Sequence, residues 1–433
     1  MSLAEKLSAE YLSYAYSYPH KTAYRPLSPP VALEAAWAEE EKHALFVYLH
    51  VPFCEQRCGF CNLYTQVQPK EDTVAAYLDT LERQATATLR ALGGAARFAR
   101  YAVGGGTPSF LEVRGLQRLF GVLRRLGAEA APGSVEVSPG TADAEKLALL
   151  VDEGVYRVSI GVQSLDVAEM AAVARGQDPA NTLRLIEAAA ARFPVCNVDL
   201  IYGLPGQHRA SLERSIDAVI RSGANELYLY PLYVRPLTGL GRTGWAPSQR
   251  LALYRAGREH LLGLGWTQHS TRFFRAPGAP SEAHAPTYRC QDDGMIGLGP
   301  GARSYTRRLH YASPYATSQG AIRTGVSAWI SQSEADFGWI GHGIWLSAEE
   351  QRRRFVLLSL LDRGVEESAY RHRFGGELRD ELPELVELLA PGLAEWREGW
   401  LTLTAPGIER ADVLGEWLQS EAVRRLRAEW TAA

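Results

Sequence analysis

Three cysteines lie close together in the stretch His50-Val-Pro-Phe-Cys54-Glu-Gln-Arg-Cys58-Gly-Phe-Cys61, where their spacing is C-x3-C-x2-C. A [4Fe–4S] cube normally takes four thiolates, so these three would leave one iron without a protein ligand. An open iron can bind a chelating molecule, and the amino and carboxylate groups of S-adenosylmethionine (SAM) suit that position. An electron from the cluster would then break a sulfonium–carbon bond and yield a deoxyadenosyl radical.

The alternative for the same residues is a zinc site made of the three cysteines and His50. Structural zinc sites usually pair their cysteines in two short clusters, and no second CxxC exists in this chain. The chain has five cysteines, an odd number, and its first thirty residues lack the cationic start and apolar core of a signal peptide. These features argue against a disulfide framework and favour a metal or redox site.

Composition limits the broad class of the protein. A length of 433 residues is enough for one large domain and a smaller one, and 46% hydrophobic residues allow a sizeable core. The net charge of −3 gives no sign of a nucleic-acid or membrane-surface partner. No apolar run approaches the roughly 18 residues of a membrane-spanning helix. We therefore expect a cytoplasmic protein with no nucleic-acid partner and no membrane span.

From residue 44 onward, short β-rich runs alternate with helical stretches, and this alternation predicts parallel βαβ units. The strand candidates are Ala44–Val51, Arg100–Val103, Ser134–Val137, Arg157–Val162, Val195–Tyr202 and Glu226–Val234. The helix candidates between them are Val74–Leu92, Leu116–Leu126, Ala144–Glu153, Ala180–Arg192 and Ser211–Ser222. An open sheet and a barrel both satisfy this pattern.

After residue 249 the pattern changes, and residues 347–433 are predicted to form a separate module. A helix is predicted at Ser248–Leu264, followed by a Gly-, His- and Arg-containing stretch and an aromatic segment. Helices at Ala348–Arg363, Gly376–Leu389 and Arg410–Ala428 surround a short WLTLT element at 400–404. We interpret this module as a small, mainly helical, winged-helix-like domain.

Seven motifs, in order along the chain, resemble the radical SAM superfamily and, within it, the oxygen-independent coproporphyrinogen III oxidase-like (HemN/HemW-like) family. The motifs are YLHVPFCEQRCGFC (48–61), GGGTPSFL (104–111), VEVSPGT (135–141), RVSIGVQSL (157–165), VARGQ (173–177), VDLIYGLPGQ (198–207) and IGLGPGARSY (296–305). The resemblance implies an α/β fold: a partial (β/α)6 barrel, open on one side, with the cluster at its top. It divides the chain into an N-terminal extension (1–43), the barrel (44–245), a substrate-side extension (246–346) and a C-terminal domain (347–433).

The resemblance also implies roles for the residues around the cluster. Tyr48 and Glu136 are the implied catalytic residues, and a carboxylate at Glu136 would hold a cationic ligand. The residues implied to contact SAM are Tyr48, Phe60, Gly105, Gly106, Thr107, Glu136, Gln163, Arg175 and Asp199. The glycines are expected to let the backbone approach the methionine amino group. Some relatives bind two SAM molecules, so we expect one or two here.

Two departures from the family pattern leave the reaction open. The oxidases carry a further cysteine two residues past the cluster, where this chain has Leu63. The haem-chaperone branch (HemW) carries HNxxYW, where this chain reads HAPTYR (284–289). We expect an enzyme that modifies a carbon centre of a small, conjugated substrate such as a tetrapyrrole, by two-SAM C-methylation in one version. A haem chaperone and a true oxidase are the alternatives, and flavodoxin or ferredoxin is the expected electron donor.

Side-chain alternation predicts which residues face the barrel interior. If Asp199 points inward, so does Asn197, while Cys196 faces the helices as a buried, small hydrophobic group. Cys290 is expected to be a buried structural thiol, with a role near the substrate as the alternative. The side chains expected to face the substrate are His269, Arg272, Phe274 and Tyr305.

Overall fold

The computed structural model of the protein describes residues 2–8, 15–94, 96–235, 238–240, 249–280, 290–362 and 364–431. Its strands are β1 (Arg25–Ala32), β2 (Leu45–Val51), β3 (Phe53–Cys54), β4 (Gln66–Val67), β5 (Phe98–Gly105), β6 (Gly133–Val137), β7 (Arg157–Gln163), β8 (Val195–Tyr202), β9 (Glu226–Pro231), β10 (Thr267–Gln268), β11 (Phe273–Arg275), β12 (Met295–Leu298), β13 (Arg303–Tyr305), β14 (Leu309–Ala312), β15 (Trp339–Trp345), β16 (Val365–Glu366), β17 (Ala394–Arg397) and β18 (Trp400–Leu403).

The α-helices of the same residues follow in chain order. They are α1 (Leu3–Ser8), α2 (Leu33–Trp37), α3 (Glu71–Leu92), α4 (Val113–Leu126), α5 (Ala144–Asp152), α6 (Val167–Ala172), α7 (Pro179–Ala190), α8 (Arg209–Arg221), α9 (Arg250–Gly263), α10 (Cys290–Asp293), α11 (Gln319–Ile330), α12 (Ala348–Leu361), α13 (Glu367–Phe374), α14 (Leu378–Glu381), α15 (Ala405–Glu409), α16 (Ala411–Trp417) and α17 (Glu421–Ala428). No helix among the described residues is long and apolar enough to cross a membrane.

One large sheet organises the fold. Its thirteen strands run in the order β1-β15-β14-β13-β12-β2-β5-β6-β7-β8-β9-β11-β10. The six strands from β2 through β5, β6, β7 and β8 to β9 are parallel to their neighbours, with helices between successive strands. These are the six strands that the alternating pattern predicts. The α/β fold with a parallel partial barrel is therefore confirmed, and β12 adds a seventh parallel strand beside β2.

Strand β2 shows how the sequence assigns its two faces. Four of its side chains are fully buried in the main hydrophobic core, together with Tyr77 and Leu81 of α3. These four are Leu45, Val47, Leu49 and Val51. The alternating residues point to the opposite face, because successive side chains of a strand face opposite ways. Strand β2 therefore presents Phe46, Tyr48 and His50 to the barrel interior.

The N-terminal residues contact both the large sheet and the C-terminal region. Strand β1 pairs with β15 at one end of the large sheet. Helix α1 packs on α16, where Leu3 belongs to a second hydrophobic core that also contains Leu414. The expected boundary at residues 245/246 lies outside the described residues.

The C-terminal region has its own core and a three-stranded antiparallel sheet in the order β16-β18-β17. The predictions of single continuous helices at Gly376–Leu389 and at Arg410–Ala428 are wrong. Helix α14 ends at Glu381, and Pro383 starts a separate 3-10 turn at Pro383–Leu388, because proline cannot continue the helical hydrogen-bond ladder. Helices α16 and α17 are separate because Ser420 caps α17 by accepting a hydrogen bond from the Val423 N–H at 3.1 Å.

Candidate active site

The cysteine segment lies directly after β2, at the end of the parallel strands. Strand β3 pairs with β4 and so closes the segment into a loop. The loop is held from outside by backbone hydrogen bonds: the Gly59 N–H donates to the Val173 carbonyl at 2.7 Å, and the Leu240 N–H donates to the Gly59 carbonyl at 2.9 Å. Cys54, Cys58 and Cys61 line one cavity of about 390 Å³, which we call the first cavity.

Each of the three thiols has a polar neighbour. The Cys54 Sγ lies 3.5 Å from the Thr107 hydroxyl, and the Cys61 Sγ lies 3.8 Å from the Thr65 hydroxyl. Arg175 donates to the Cys58 Sγ at 3.2 Å. Burial raises the pKa of Cys54 to about 12, so iron that binds this thiol must displace its proton.

The glycines at the end of β5 are required by the crowding around them. Gly105 has φ +109°, and a Cβ there would lie 2.6 Å from the His50 ring. At Gly106 a Cβ would lie 2.4 Å from the Phe53 carbonyl oxygen and 3.0 Å from the Cys54 Sγ. The Gly106 N–H also donates to the Val51 carbonyl at 2.7 Å. Glycine is therefore needed for β5 to pack against the cysteine loop, a reason that comes before any contact with a ligand.

Glu136 stands on β6 beside the glycines, where its carboxylate accepts a hydrogen bond from the Gly105 N–H at 3.2 Å. Burial, and then the negative charge of Asp199, raises the pKa of Glu136 to about 7. A cation that enters the cavity would favour the ionised carboxylate.

Asp199 belongs to a polar cluster on the inner face of the barrel. Its carboxylate accepts hydrogen bonds from the Asn197 amide at 2.8 Å and from the Ser159 hydroxyl at 3.3 Å. Cys196, the residue before Asn197 on β8, points the other way, with its thiol 3.8 Å from the Ile186 carbonyl of α7. The period-two interpretation of this strand is thus confirmed.

Gln163 ends β7 in a strained backbone conformation. Its φ is +69°, in the left-handed region that non-glycine residues seldom adopt, and the β7–β8 register shifts between Gly161 and Gln163. The Arg175 guanidinium donates to the Gly161 carbonyl, which fixes the arginine beside this irregularity. The sequence alone gave no signal of this conformation.

Most of the predicted site residues come together in the first cavity. Besides the three cysteines, those that line it are Phe60, Gly105, Gly106, Thr107, Glu136, Gln163, Arg175 and Asp199. Tyr48 is the exception, since it lines a neighbouring cavity, which we call the second cavity and which also measures about 390 Å³. Leu63 lines both cavities, so they adjoin at the end of the cysteine loop.

Tyr48 and His50 stand on the interior face of β2 and both line the second cavity. The His50 Nε2 lies 3.0 Å from the Tyr64 carbonyl oxygen, which can only accept a hydrogen bond, so Nε2 carries the proton. The Tyr48 hydroxyl therefore donates to the His50 Nδ1, at 3.3 Å. Burial lowers the pKa of His50 to about 4 and keeps the ring neutral. Burial, and then the charge of Glu136, raises the pKa of Tyr48.

The expected substrate-facing residues divide in the structure. Tyr305 lines the second cavity. The expectation for Phe274 and Arg272 is wrong: Phe274 is fully buried in the main core, and Arg272 is buried in an ion pair with Asp412 of the C-terminal region. His269 packs on a neighbouring ring of β11 and lines a different surface cavity.

Cys290 also lines the second cavity and is partly exposed, so the expectation of a buried structural thiol is wrong. The HAPTYR segment, 284–289, lies outside the described residues. Sequence reasoning missed three basic residues of the second cavity, Lys21, Arg235 and Arg303. Arg303 lies inside the quoted motif IGLGPGARSY, which was the one available signal.

The donor set of the first cavity fits an iron–sulfur cluster with SAM. Among the described residues, no three His, Cys, Asp or Glu side chains are arranged to hold a single metal ion. The cavity instead places three thiols beside the carboxylates of Glu136 and Asp199, which suit the cationic groups of SAM, and beside Arg175, which suits a carboxylate.

Comparisons with known proteins decide the family. The sequence model of the radical SAM superfamily matches residues 48–219. The haem chaperone HemW of Bacillus subtilis is 30% identical over 60% of this chain and 70% of its own length. The chain belongs to the radical SAM superfamily. Within it, the chain falls in the group of oxygen-independent coproporphyrinogen III oxidases and HemW, and its cofactors are a [4Fe–4S] cluster and SAM.

Two further comparisons concern the oxidases. The oxygen-independent coproporphyrinogen III oxidase of Pseudomonas aeruginosa is 31% identical over 54% of this chain and 54% of its own length. The chain spans about half the length of the curated oxidases that it matches. The coproporphyrinogen III oxidase (HemN) of Escherichia coli superposes with a TM-score of 0.78 at 24% identity, covering 93% of this chain and 96% of that one. This superposition shows that the two chains share the fold.

Proposed function

We propose that this radical SAM enzyme cleaves SAM in the first cavity and modifies a carbon centre of an organic substrate bound in the second cavity. The observation that carries the proposal is that the two cavities adjoin at Leu63, next to the cysteine loop. When bound, the cluster and SAM together supply a deoxyadenosyl radical. A substrate in the second cavity would lie next to the place where that radical forms.

The residues of the first cavity would each do a separate task. Cys54, Cys58 and Cys61 would hold three irons and leave the fourth open. Arg175 would bind the carboxylate of SAM, since it already donates to the Cys58 Sγ from that side.

Glu136 and Asp199 would bind the cationic groups of SAM, since both carboxylates face the same cavity. Phe60, Gly105, Gly106, Thr107 and Gln163 would shape the remaining wall.

Tyr48 would act from the second cavity, with its hydroxyl oriented by His50. Because that hydroxyl donates to the neutral ring, its oxygen lone pairs are available to accept a hydrogen bond from a substrate. We therefore assign Tyr48 to substrate positioning, which differs from the SAM contact expected for it.

The class of carbon chemistry is part of the proposal. Leu63 replaces the additional cysteine of the oxidases at the junction of the cavities, which favours another modification of a carbon centre over oxidative decarboxylation. A low-potential donor, flavodoxin or ferredoxin, and a reducing cytoplasmic setting are the corresponding expectations for the electron source.

Anaerobic incubation of the reconstituted protein with SAM and dithionite tests the proposal, with deoxyadenosine measured by mass spectrometry. The chain should form deoxyadenosine and methionine, and Cys58→Ala should lose both the cluster and the reaction, because two thiolates cannot retain the cube. Asp199→Ala should keep its iron yet bind SAM more weakly, whereas Asp152→Ala, an exposed carboxylate on α5, should behave like the parent chain. SAM cleavage by Cys58→Ala would refute the proposal.

A haem-binding chaperone is the second candidate, favoured by the alignment that covers 70% of the Bacillus subtilis HemW chain. Haem titration followed by transfer to an acceptor protein tests it. Stoichiometric binding and transfer without deoxyadenosine formation would favour the chaperone over the enzyme.

A further inference from the structure

The second cavity contains three basic side chains, Lys21, Arg235 and Arg303, that come from distant parts of the chain. None of the three forms an ion pair with an acidic residue that the structure describes. The other polar wall groups are phenols, a thiol, two imidazoles, two amides and a hydroxyl, and no carboxylate of the described residues lines the cavity. The cavity therefore has an excess of positive charge.

Arg303 lies among the aromatic rings of the cavity wall. Its guanidinium lies over the ring of Tyr16 at 5.0 Å and over the ring of Tyr305 at 5.7 Å. The Nη1 atom is buried and has no hydrogen-bond partner among the described residues. A buried guanidinium N–H without an acceptor is costly, so this atom is suited to a ligand oxygen.

Arg235 and Lys21 also line the second cavity, and they come from distant segments of the chain. Arg235 donates to the His20 ring at 3.0 Å, and its Nε is buried without a hydrogen-bond partner. The Lys21 Nζ lies 3.7 Å from the centre of the Tyr315 ring. Burial, and then the charges of Arg303 and Arg235, lowers the pKa of Lys21, and an anion bound between the three groups would offset this repulsion.

Aromatic rings form much of the remaining wall and fix the shape of the space. Those that line the second cavity are Tyr16, Phe46, Tyr48, Tyr64, Tyr233, Tyr305 and Tyr315. Trp430, next to α17, stacks on Tyr315 with ring centres 5.4 Å apart, and so backs one wall. At about 390 Å³, the cavity is near the lower end of the range for small-molecule sites.

We propose that the second cavity binds a compact aromatic acid whose anionic group, a carboxylate or a phosphate, is held by Arg303, Arg235 and Lys21. The aromatic body would pack between the tyrosine rings, and one end of it would approach the cysteine loop at Leu63. This inference rests on the proposed function and names the substrate class for it.

The same charges exclude a second SAM molecule from this cavity. SAM carries a sulfonium and an ammonium group against a single carboxylate, so its net charge is positive. The guanidinium groups of Arg303 and Arg235, which pair with no acidic residue that the structure describes, would repel it, whereas the first cavity offers Glu136 and Asp199. We therefore expect one SAM molecule per chain.

A different role for the cations is to offset the charge of the cysteine ligands, since the Cys61 thiolate is among the charges that act on Lys21. In that case the cations would hold no ligand. The ligand-binding role predicts that the cavity binds an anion from solution, and the charge-offset role predicts that it does not.

The test uses the anaerobically reconstituted holoprotein with SAM and three probes: 2-naphthoate, 2-naphthyl phosphate and the neutral isostere 2-naphthamide. Calorimetry should show that at least one anion binds ten-fold or more tightly than the amide, and equilibrium dialysis should show one SAM per chain. Lys21→Gln and Arg235→Gln should each weaken anion binding about ten-fold. The control variants Lys70→Gln and Arg114→Gln remove exposed charges and should bind like the parent chain.

Equal affinity for the acids and the amide, or failure of all three to bind, would overturn the inference, as would two SAM molecules per chain. Preference for carboxylate or phosphate identifies the anionic group. Because these readouts are binding measurements, the inference can fail while SAM cleavage persists, and SAM cleavage can fail while the anion still binds.

Discussion

The Tyr48 hydroxyl donates to the His50 Nδ1 at 3.3 Å, and the other nitrogen of that ring lies 3.0 Å from the Tyr64 carbonyl oxygen. This chain of contacts connects β2, through the wall of the second cavity, to the end of the cysteine loop. One neutral imidazole thus fixes both the tyrosine that faces the second cavity and the segment that follows Cys61.

Removing this hydroxyl should destabilise the fold. Tyr48→Phe leaves the His50 Nδ1 buried without a donor, which should lower the free energy of unfolding by about 1–3 kcal/mol in urea titration. Tyr101→Phe is the matched control, because the Tyr101 hydroxyl is buried without a hydrogen-bond partner among the described residues. Its removal should be neutral or stabilising. Equal losses in the two variants would contradict the assigned hydrogen bond.

SAM affinity should depend on pH through Glu136. With a pKa of about 7, against a usual value of 4.5, about a tenth of this carboxyl is ionised at pH 6 and about nine tenths at pH 8. A cationic ligand favours the ionised form, so SAM binding should tighten by up to about ten-fold as the pH rises between these values.

Equilibrium binding with Glu136→Gln provides the comparison, since titration of SAM itself is common to both proteins. The variant should bind SAM more weakly at pH 8 and should lack most of this pH dependence. A parallel pH profile in the two proteins would show that Glu136 does not contact the ligand.

The cysteine loop should not tolerate a side chain at Gly106. The added methyl group of Gly106→Ala would meet the Phe53 carbonyl at 2.4 Å and the Cys54 Sγ at 3.0 Å, so the loop must move and iron retention should fall sharply. Gly121→Ala on α4 meets no atom within 4 Å and should stabilise the chain by about 0.5–1 kcal/mol. Iron analysis and thermal melts measure both effects. Full iron loading of Gly106→Ala would contradict the packing described.

The main sheet and the C-terminal region should depend on one buried ion pair. Arg272 binds Asp412 and also donates to the Ala15 carbonyl at 2.9 Å. Arg272→Ala leaves the carboxylate of Asp412 buried beside the Ala15 N–H, and should lower the free energy of unfolding by about 3–5 kcal/mol.

The control for this pair is Arg255→Ala, which breaks an ion pair with Glu409 between the same two regions. The Arg255 side chain is 50% exposed, so this loss should be below about 1 kcal/mol. Denaturant titration of both variants compares them, and similar losses would mean that Arg272 does not join the two regions in the way described.

Local sequence patterns predicted those features of the fold and the site that depend on residues close together in the chain. The six parallel strands followed from alternating β-rich and helical runs, and the cysteine loop followed from spacing alone. Strand β1 escaped prediction because its sequence, RPLSPPVA, contains three prolines, which are depleted in strands except at edges, and an edge is where it lies. Strand β12 was not predicted either, because it is only four residues long and contains Gly297, and glycine is depleted in strands.

The second cavity depends on contacts that no local pattern records. Lys21, Arg235 and Arg303 are separated by more than sixty residues at each step, and only the folded chain brings them to one space. The prediction for Arg272 was wrong for the same reason: its position beside β11 in the sequence does not indicate that Asp412 forms an ion pair with it. Partners distant in sequence are set by sheet topology and domain packing, which single-sequence reasoning does not supply.

The central claim is that three cysteines hold the cluster and leave one iron open to SAM. Electron–nuclear double resonance of the reduced cluster, with SAM labelled with ¹⁷O in its carboxylate and ¹⁵N in its amino group, tests it most directly. We expect couplings from both labels to the cluster in the parent chain and their loss in Cys58→Ala. A cluster with four protein ligands and no coupling to either label would contradict it.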